Sequence, residues 1–312
     1  MPDEILLKIF NYLDWDILSV LKLSQTSKRF NAICQEESLW QKASLVKARI
    51  PTALVEKILE KGCRYLRLDR VKLKGKLELT GCSQLKGLFI HDCKARDGVF
   101  EELLASCHSL QMLYLFRLTL NSSMINSICQ QNGKTLQTLK LRWSEGLEIE
   151  AIKLITSQCT ELTEVSLADT YLSEASINIV SSQLTPKVMK LSLGGLWEVQ
   201  DEHINMLVVR CNRLFELDIA DTEVTNDSMI SIIEYLKQTL WKLDVDRTKV
   251  DFAKLLELRS MPRLKTLNCQ HLSCEDIEKL RILLPHVSIS NSDEAGSKLR
   301  KLRQLLSTSN SS

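Results

Sequence analysis

The chain has 312 residues, of which 44% are hydrophobic and 26% charged, as in an ordinary folded protein. Its 41 basic and 39 acidic side chains leave a net charge of only +2, which argues against nucleic acid as a general partner. No apolar run approaches the roughly 18 residues that span a bilayer, and no charged leader precedes an apolar core at the N-terminus. We therefore expect no membrane partner and an intracellular protein, cytoplasmic and/or nuclear.

Three short helices are predicted near the N-terminus. The first runs from Pro2 to Leu13, with acidic residues in its first turn where they suit the helix dipole. A break at residues 14–16 separates it from the second helix, and the third follows Ser27. Such a unit is too small for a robust core and carries apolar side chains on nearly every face. We expect a partner helix or groove to complete it.

An apolar pattern, L-x-x-L-x-L, then recurs along the chain. Its middle position steps by 25, 26, 26, 26, 26 and 26 residues through Leu88, Leu113, Leu139, Val165, Leu191, Leu217 and Leu243. A core of this type with a period of about 20–29 residues indicates one strand and one helical segment per repeat. The predicted fold class is α/β, a leucine-rich-repeat solenoid. We expect a horseshoe with a parallel sheet on its concave face and helices on its convex face, preceded by the small three-helix unit.

The residues between these leucines are predicted to face outward on the concave surface. Aromatic and basic residues crowd the early repeats, and carboxylates dominate the later ones. A protein substrate is predicted to bind Phe89, Tyr114, Phe116, Arg117, Lys140, Arg142, Trp143, Asp218, Asp244 and Asp246. Exposed aromatic residues beside arginine are typical of interface hot spots, and opposite charges orient a partner. The alternative is that the aromatic rings tuck under neighbouring loops and the charges are merely solvated.

The ten cysteines are not predicted to form a disulfide framework. Cys107, Cys159 and Cys211 are 52 residues apart, two repeats each time, which exceeds the ~7 Å Cα separation that a disulfide allows. No C-x-x-C occurs, which argues against zinc. We therefore expect free, buried thiols and no metal.

No catalytic residue is predicted. The five histidines lie outside metalloprotease, phosphate-loop and nucleophile-elbow motifs. Asp244 is expected on an exposed face, without a pocket that would shift its pKa. The chain is accordingly expected to be a non-enzyme without a cofactor.

The N-terminal helices resemble an F-box. The residues that carry the resemblance are Pro2-Asp3-Glu4-Ile5-Leu6-x-x-Ile9-Phe10-x-Tyr12-Leu13, Ser24 to Phe30, and Leu39-Trp40, with Met1 where the motif usually has leucine. Together with the repeats, the chain resembles the F-box/leucine-rich-repeat family, the substrate receptors of SCF ubiquitin ligases. The resemblance implies that the F-box docks on a Skp-type adaptor, and through it on cullin and RING subunits. The repeats then hold an unidentified protein substrate. It implies an adaptor-binding surface of Pro2, Ile5, Leu6, Ile9, Phe10, Leu13, Leu18 and Leu21.

Four segments are assigned on this basis: the F-box at residues 1–45, a linker helix at 46–62, about ten leucine-rich repeats at 63–290, and a polar, disordered tail at 291–312. The alternative function is a non-catalytic repeat scaffold or inhibitor that acts outside a ubiquitin ligase. An exposed adaptor surface at residues 2–21 distinguishes the two, because a scaffold has no use for one.

Overall fold

The structure, a computed structural model, describes residues 1–13, 15–79 and 84–290. The chain divides into two compact units, Met1–Ser166 and Leu167–Ser312. The tail predicted at 291–312 lies outside the described residues, as does Cys82. Among the helices that are described, none is long and apolar enough to cross a membrane.

Three helices open the first unit. They are α1 (Asp3–Asn11), α2 (Ile17–Ser24) and α3 (Lys28–Ile33). Capping explains where the second and third begin: the Asp16 carboxylate accepts a hydrogen bond from the Ser19 N–H at 3.2 Å, and the Ser27 hydroxyl accepts one from the Phe30 N–H at 3.1 Å. Phe10 packs edge-on against Phe30, with 5.2 Å between ring centroids, and joins α1 to α3.

The remaining elements of the first unit alternate between strands and helices. They are β1 (Lys42–Val46), β2 (Arg49–Pro51), α4 (Thr52–Glu60), β3 (Tyr65–Asp69), β4 (Lys72–Lys74), β5 (Gly87–His91), α5 (Val99–Ala105), β6 (Met112–Phe116), α6 (Ser122–Asn132), β7 (Thr138–Lys140), α7 (Ile149–Gln158) and β8 (Glu164–Ser166). Six strands form a parallel sheet in the order β1-β3-β5-β6-β7-β8, and β2 pairs separately with β4. The middle apolar residues Leu66, Leu88, Leu113, Leu139 and Val165 lie in one register row.

The linker helix predicted at 46–62 is too simple a description of that segment. It contains β2 and α4, and the sheet begins before it, because β1 pairs in parallel with β3. Trp40, Ala43 and Leu45, each at most 1% exposed, have the L-x-x-L-x-L spacing in a degenerate form. The Trp40 Nε1 donates to the Cys34 carbonyl at 2.7 Å and fixes the end of α3 against this first strand.

The second unit continues the same alternation. Its elements are α8 (Glu174–Gln183), β9 (Lys190–Ser192), α9 (Asp201–Arg210), β10 (Glu216–Asp218), α10 (Asn226–Leu236), β11 (Lys242–Asp244), α11 (Phe252–Leu255), a 3₁₀ helix (Leu256–Ser260), β12 (Thr266–Asn268), α12 (Cys274–Leu283) and β13 (Ser288–Ser290). The strands β9 to β13 pair in parallel and in order. The predicted α/β leucine-rich-repeat fold is confirmed, and the leucines of the pattern point into the core as expected.

Nine of the described repeat strands, all except β12 and β13, lead into one residue with left-handed backbone. The non-glycine residues at this position have φ between 48° and 58°: Lys47, Arg70, Asp92, Arg117, Trp143, Asp169, Asp221 and Arg247. Gly195 takes the same place after β9, with φ of 76°. At seven of these positions the backbone N–H donates to a carbonyl of the next repeat, as where Asp92 donates to the Phe116 carbonyl at 2.9 Å. These cross-repeat hydrogen bonds hold a conformation that L-residues disfavour by about 1–2 kcal/mol.

Asp201 ties two repeats of the second unit together. Its carboxylate accepts hydrogen bonds from the N–H and hydroxyl of both Thr225 and Ser228, including the Thr225 N–H at 2.9 Å and the Thr225 hydroxyl at 2.6 Å. Burial alone would raise the pKa of Asp201, but the hydrogen bonds from Ser228 and Thr225 lower it below its ordinary value. The ionised carboxylate therefore stabilises the junction between α9 and α10.

We expect Asp201→Asn to reduce the free energy of unfolding by about 1–2 kcal/mol at pH 7, measured by urea denaturation. A lowered pKa contributes stability that is present above the unfolded value of about 3.9 and is lost as the pH falls through the folded value. The difference between wild type and variant should therefore shrink below about pH 4. The control is Asp227→Asn, because Asp227 is a neighbouring exposed carboxylate. An equal loss of unfolding free energy in Asp201→Asn and Asp227→Asn would contradict the assignment.

Candidate functional site

Four apolar side chains form an exposed stripe at the N-terminus. Met1 is 67% exposed, Ile5 and Ile9 are each 46% exposed, and Tyr12 is 88% exposed. Ile5, Ile9 and Tyr12 lie at i, i+4 and i+7 of α1 and so share one helix face. We call Met1, Ile5, Ile9 and Tyr12 the α1 stripe; Leu6 and Phe10, on the other side of the helix, are buried. A contiguous exposed apolar face of this kind is typical of a docking surface.

The residues that the resemblance assigned to the adaptor surface differ in exposure. Pro2, Ile5 and Ile9 are exposed, whereas Leu13, Leu18 and Leu21 are half-buried. The prediction that Leu6 and Phe10 lie on the adaptor-binding surface is wrong, because Leu6 is only 6% and Phe10 only 5% exposed. They pack inside the three-helix unit, so they support the helix that carries the stripe.

Tyr12 belongs to the same face but was not assigned to the site from sequence. The signal was available, because Tyr12 lies seven residues after Ile5 and three after Ile9, the spacing of one helical face. Met1 extends the stripe beyond the first residue of α1.

A cluster of aromatic and basic residues lies on the sheet face of the first unit. In register across β3, β5, β6 and β7 lie Arg67, Phe89, Tyr114 and Lys140. The Phe89 and Tyr114 ring centroids are 4.6 Å apart, and the Lys140 Nζ lies 4.9 Å from the Tyr114 ring centroid. These distances are those of an aromatic pair and a cation–π contact.

Trp15 completes this cluster at its N-terminal end. Its ring centroid lies 6.1 Å from that of Phe89 and 6.1 Å from that of Tyr65, although it belongs to the segment between α1 and α2. The Lys42 Nζ lies 5.8 Å from the Trp15 ring centroid. The N-terminal helical segment therefore contributes an aromatic residue to the sheet face, and sequence spacing gave no means of predicting this.

A second row runs parallel to the first on the same face, two residues further along each strand. The His91 and Phe116 rings meet edge to face at 4.6 Å. The Arg117 guanidinium lies 5.8 Å from the Phe116 ring centroid and 5.6 Å from that of Trp143. Arg142 is exposed, and its carbonyl accepts the Arg117 N–H at 3.3 Å. The structure thus brings together the seven early residues predicted to bind substrate, and we call them with Trp15 the aromatic face.

A buried carboxylate organises the basic groups at the edge of this face. Asp69 is 3% exposed and bonds to the Arg70 Nε at 2.9 Å and to the His91 Nδ1 at 3.0 Å. Burial alone would raise the pKa of Asp69, but the hydrogen bond and charge of Arg70, with His91 and Arg67, lower it. Asp69 therefore stays ionised and fixes three cationic or polar side chains whose outer surfaces are exposed.

The three acidic residues predicted to bind substrate lie in the second unit. Asp218 accepts a hydrogen bond from the Ser192 hydroxyl at 2.7 Å, and Asp244 accepts one from the Asn268 amide at 2.8 Å. Asp246 lies 3.7 Å from the His271 Nδ1. Asp218 and Asp244 are thus partly engaged by neighbouring strands, whereas the Asp246 Oδ1 is buried without a hydrogen bond; the role of all three in binding stays a prediction.

The expectation that Asp244 lies on an exposed face, without a pocket that would shift its pKa, is wrong. Burial raises the pKa of Asp244, the hydrogen bond from Asn268 opposes that rise, and the charge of Asp218 adds to it. Burial is the main physical reason, and the register adds to it, because Asp218 and Asp244 are Cα partners on adjacent strands and their two carboxylates repel.

The cysteines in the described part of the chain are free, and all but Cys274 are buried. Burial raises the pKa of Cys211 to about 11 and that of Cys269 to about 12, so these thiols are protonated and unreactive at neutral pH. Among the described residues, no group of three or more His, Cys, Asp or Glu side chains is arranged to hold a metal ion.

Comparison with known families matches two segments of the chain. Residues 1–46 match the F-box-like family, and residues 53–295 match the SKP2 LRR domain. Among solved structures, the chain is similar to one in the crystal structure of the Rad7 and Elc1 complex in yeast, with 12% identity, a TM-score of 0.48, and coverage of 94% of each chain. It is also similar to an internalin (InlF) from Listeria monocytogenes, with 13% identity, a TM-score of 0.48, and coverage of 92% of this chain and 88% of that one.

Proposed function

The chain belongs to the F-box/leucine-rich-repeat family, with an SKP2-type repeat domain, and from that premise we propose that it is the substrate-recognition subunit of an SCF ubiquitin-protein ligase. The observation that carries the proposal is the α1 stripe, an exposed apolar face on the first helix of the F-box-like segment. An adaptor that covers it would bury the four apolar side chains Met1, Ile5, Ile9 and Tyr12.

The α1 stripe is proposed to dock on a Skp-type adaptor, which links the chain to cullin and RING subunits. Full burial of a side chain of this size contributes about 1.5–3 kcal/mol, and about half of that remains available for Ile5 and Ile9, which are each 46% exposed. The half-buried Leu13, Leu18 and Leu21 lie near this surface in sequence and are proposed to extend it.

The aromatic face is proposed to bind the protein that becomes ubiquitinated. Aromatic rings and arginine are the side chains that dominate protein interfaces. Phe89 and Tyr114 are held against each other and between Trp15 and Lys140, so little side-chain entropy is lost on binding. Asp218, Asp244 and Asp246 are proposed to contact the same substrate through its basic residues.

The chain is proposed to contribute proximity and orientation to ubiquitin transfer, while the chemistry belongs to the partner subunits. Holding two reactants together is itself a large part of catalysis, because it removes translational and rotational freedom before the reaction. A location in the cytoplasm and/or nucleus is proposed to accompany this role.

Size-exclusion chromatography tests the proposal. Purified chain and purified Skp-type adaptor are mixed at equal concentration and passed over the column. We expect a 1:1 complex by light scattering, which then binds a cullin–RING subcomplex in a second run. Separate elution of chain and adaptor at micromolar concentration contradicts the proposal. The repeat scaffold that acts outside a ligase then becomes the better description.

A further inference from the structure

Three apolar side chains line the edge of the second unit at which the strands begin. Met189, Phe215 and Trp241 each lie two residues before the middle leucine of β9, β10 and β11, whose residues are aligned in register. The Phe215 and Trp241 rings are stacked, with 5.5 Å between centroids and 6° between planes. Met189 is 40% exposed and Trp241 is 38% exposed. We call these three residues the entry stripe.

The backbone of the entry stripe is fixed by the sheet. The Phe215 carbonyl accepts the N–H groups of Trp241 and Lys242 at 2.8 and 3.1 Å, and the Met189 carbonyl accepts those of Phe215 and Glu216 at 2.6 and 3.1 Å. The side chains are therefore carried on a rigid ladder, with one residue per repeat. A surface that is already ordered loses little entropy when a partner binds.

The segments around the entry stripe are strongly basic. Residues 186–190, 210–216, 237–242 and 262–266 contain eight basic residues and one acidic residue, namely Lys187, Lys190, Arg210, Arg213, Lys237, Lys242, Arg263, Lys265 and Glu216. Glu216 already pairs with Lys190 at 2.7 Å. Among the described residues, no carboxylate pairs with the exposed Arg213, Lys237, Arg263 or Lys265.

Helix dipoles account for part of this charge but not for the stripe. Basic residues near helix C-termini are favourable, and the Arg210 Nε donates to the Leu184 carbonyl at 2.5 Å at the end of α8. A dipole gives no reason for exposed, stacked aromatic rings in the same segments. The sheet face of the same strands carries Asp218 and Asp244, so the second unit separates its charges between its face and its entry edge.

We propose that the entry stripe is a docking surface for an acidic protein segment with an apolar anchor, distinct from the aromatic face. The anchor packs on Met189 and on the outer edge of the Phe215–Trp241 stack, and its carboxylates meet Arg213 and Lys265. The facing surfaces of the two rings already cover each other, so a partner can reach only the outer surfaces of the stack. The proposal stands whether or not the chain acts in a ubiquitin ligase.

The test is fluorescence anisotropy with the full chain and a fluorescein-labelled peptide of about twelve residues, in which Asp and Glu alternate with Phe and Leu. A matched peptide has lysine in place of every acidic residue. We expect micromolar binding of the acidic peptide that weakens as salt increases. Trp241→Ala should weaken it at least fivefold and the charge-reversed pair Arg213→Glu with Lys265→Glu at least tenfold.

The control is Trp197→Ala, which removes a 65% exposed tryptophan beyond the other end of β9 and should leave the affinity unchanged. Circular dichroism confirms that each variant is folded, and the exposed charge pair tests the site without altering the core. Absent binding, equal binding of the lysine peptide, or an equal effect of Trp197→Ala overturns the proposal. So does Trp241-dependent binding to phosphatidylserine vesicles without peptide binding, which would assign the surface to membranes.

Discussion

Replacement of Ile5 and Ile9 together by aspartate will reduce the affinity of the chain for a Skp-type adaptor by at least about 100-fold, equivalent to about 2.7 kcal/mol. Both side chains are 46% exposed on the α1 stripe, so aspartate is tolerated in the free chain. In the complex, the two carboxylates would be buried against an apolar surface without a partner, which is strongly unfavourable. Isothermal titration calorimetry with purified adaptor measures the effect.

Two variants on the same helix separate binding from folding. Asn11→Asp adds a carboxylate to the polar face of α1 and should leave the affinity unchanged, because Asn11 is exposed away from the stripe. Leu6→Ala removes a side chain from the interior and should lower the melting temperature instead. Tight adaptor binding by the Ile5/Ile9 variant would mean that the docking surface lies elsewhere.

Alanine at both Phe89 and Tyr114 will abolish recruitment of the substrate while adaptor binding persists. The two rings lie at the centre of the aromatic face, in contact with Trp15 on one side and Lys140 on the other. Central aromatic hot spots each contribute about 2 kcal/mol or more to an interface. Quantitative mass spectrometry measures the proteins whose ubiquitination requires the chain. The ubiquitinated amount of these proteins should fall at least tenfold.

The matched control for this variant is Tyr171→Ala, which removes a 77% exposed aromatic side chain from the second unit. It should retain the full set of ubiquitinated proteins. Both variants should bind adaptor as the wild type does. An unchanged set of ubiquitinated proteins in the Phe89/Tyr114 variant would exclude the aromatic face as the substrate surface.

The repeat fold could be predicted because its signal is periodic. A strand that recurs every 26 residues with leucine in the same phase specifies a parallel sheet and its register without any knowledge of distant contacts. The strand at Lys42–Val46 escaped prediction because tryptophan and alanine replace two leucines of its pattern, at Trp40 and Ala43.

The candidate sites could be predicted only in part. A motif marks Ile5, Leu6, Ile9 and Phe10 alike, but contacts with Phe30 and the other helices decide which of them face outward. Burial of Asp244 depends equally on strands far away in sequence. Period and spacing carry no information about such contacts.

The left-handed residues that follow most of the repeat strands bear on how far the protein could be stabilised by engineering. Glycine or asparagine adopts this backbone with less strain than other residues, so a consensus-designed chain would carry them there. Arg117 and Trp143 hold two of these positions, and both belong to the aromatic face. Thermostability and recognition therefore compete for the same sites, and a more heat-resistant version obtained by substituting them should be a poorer receptor.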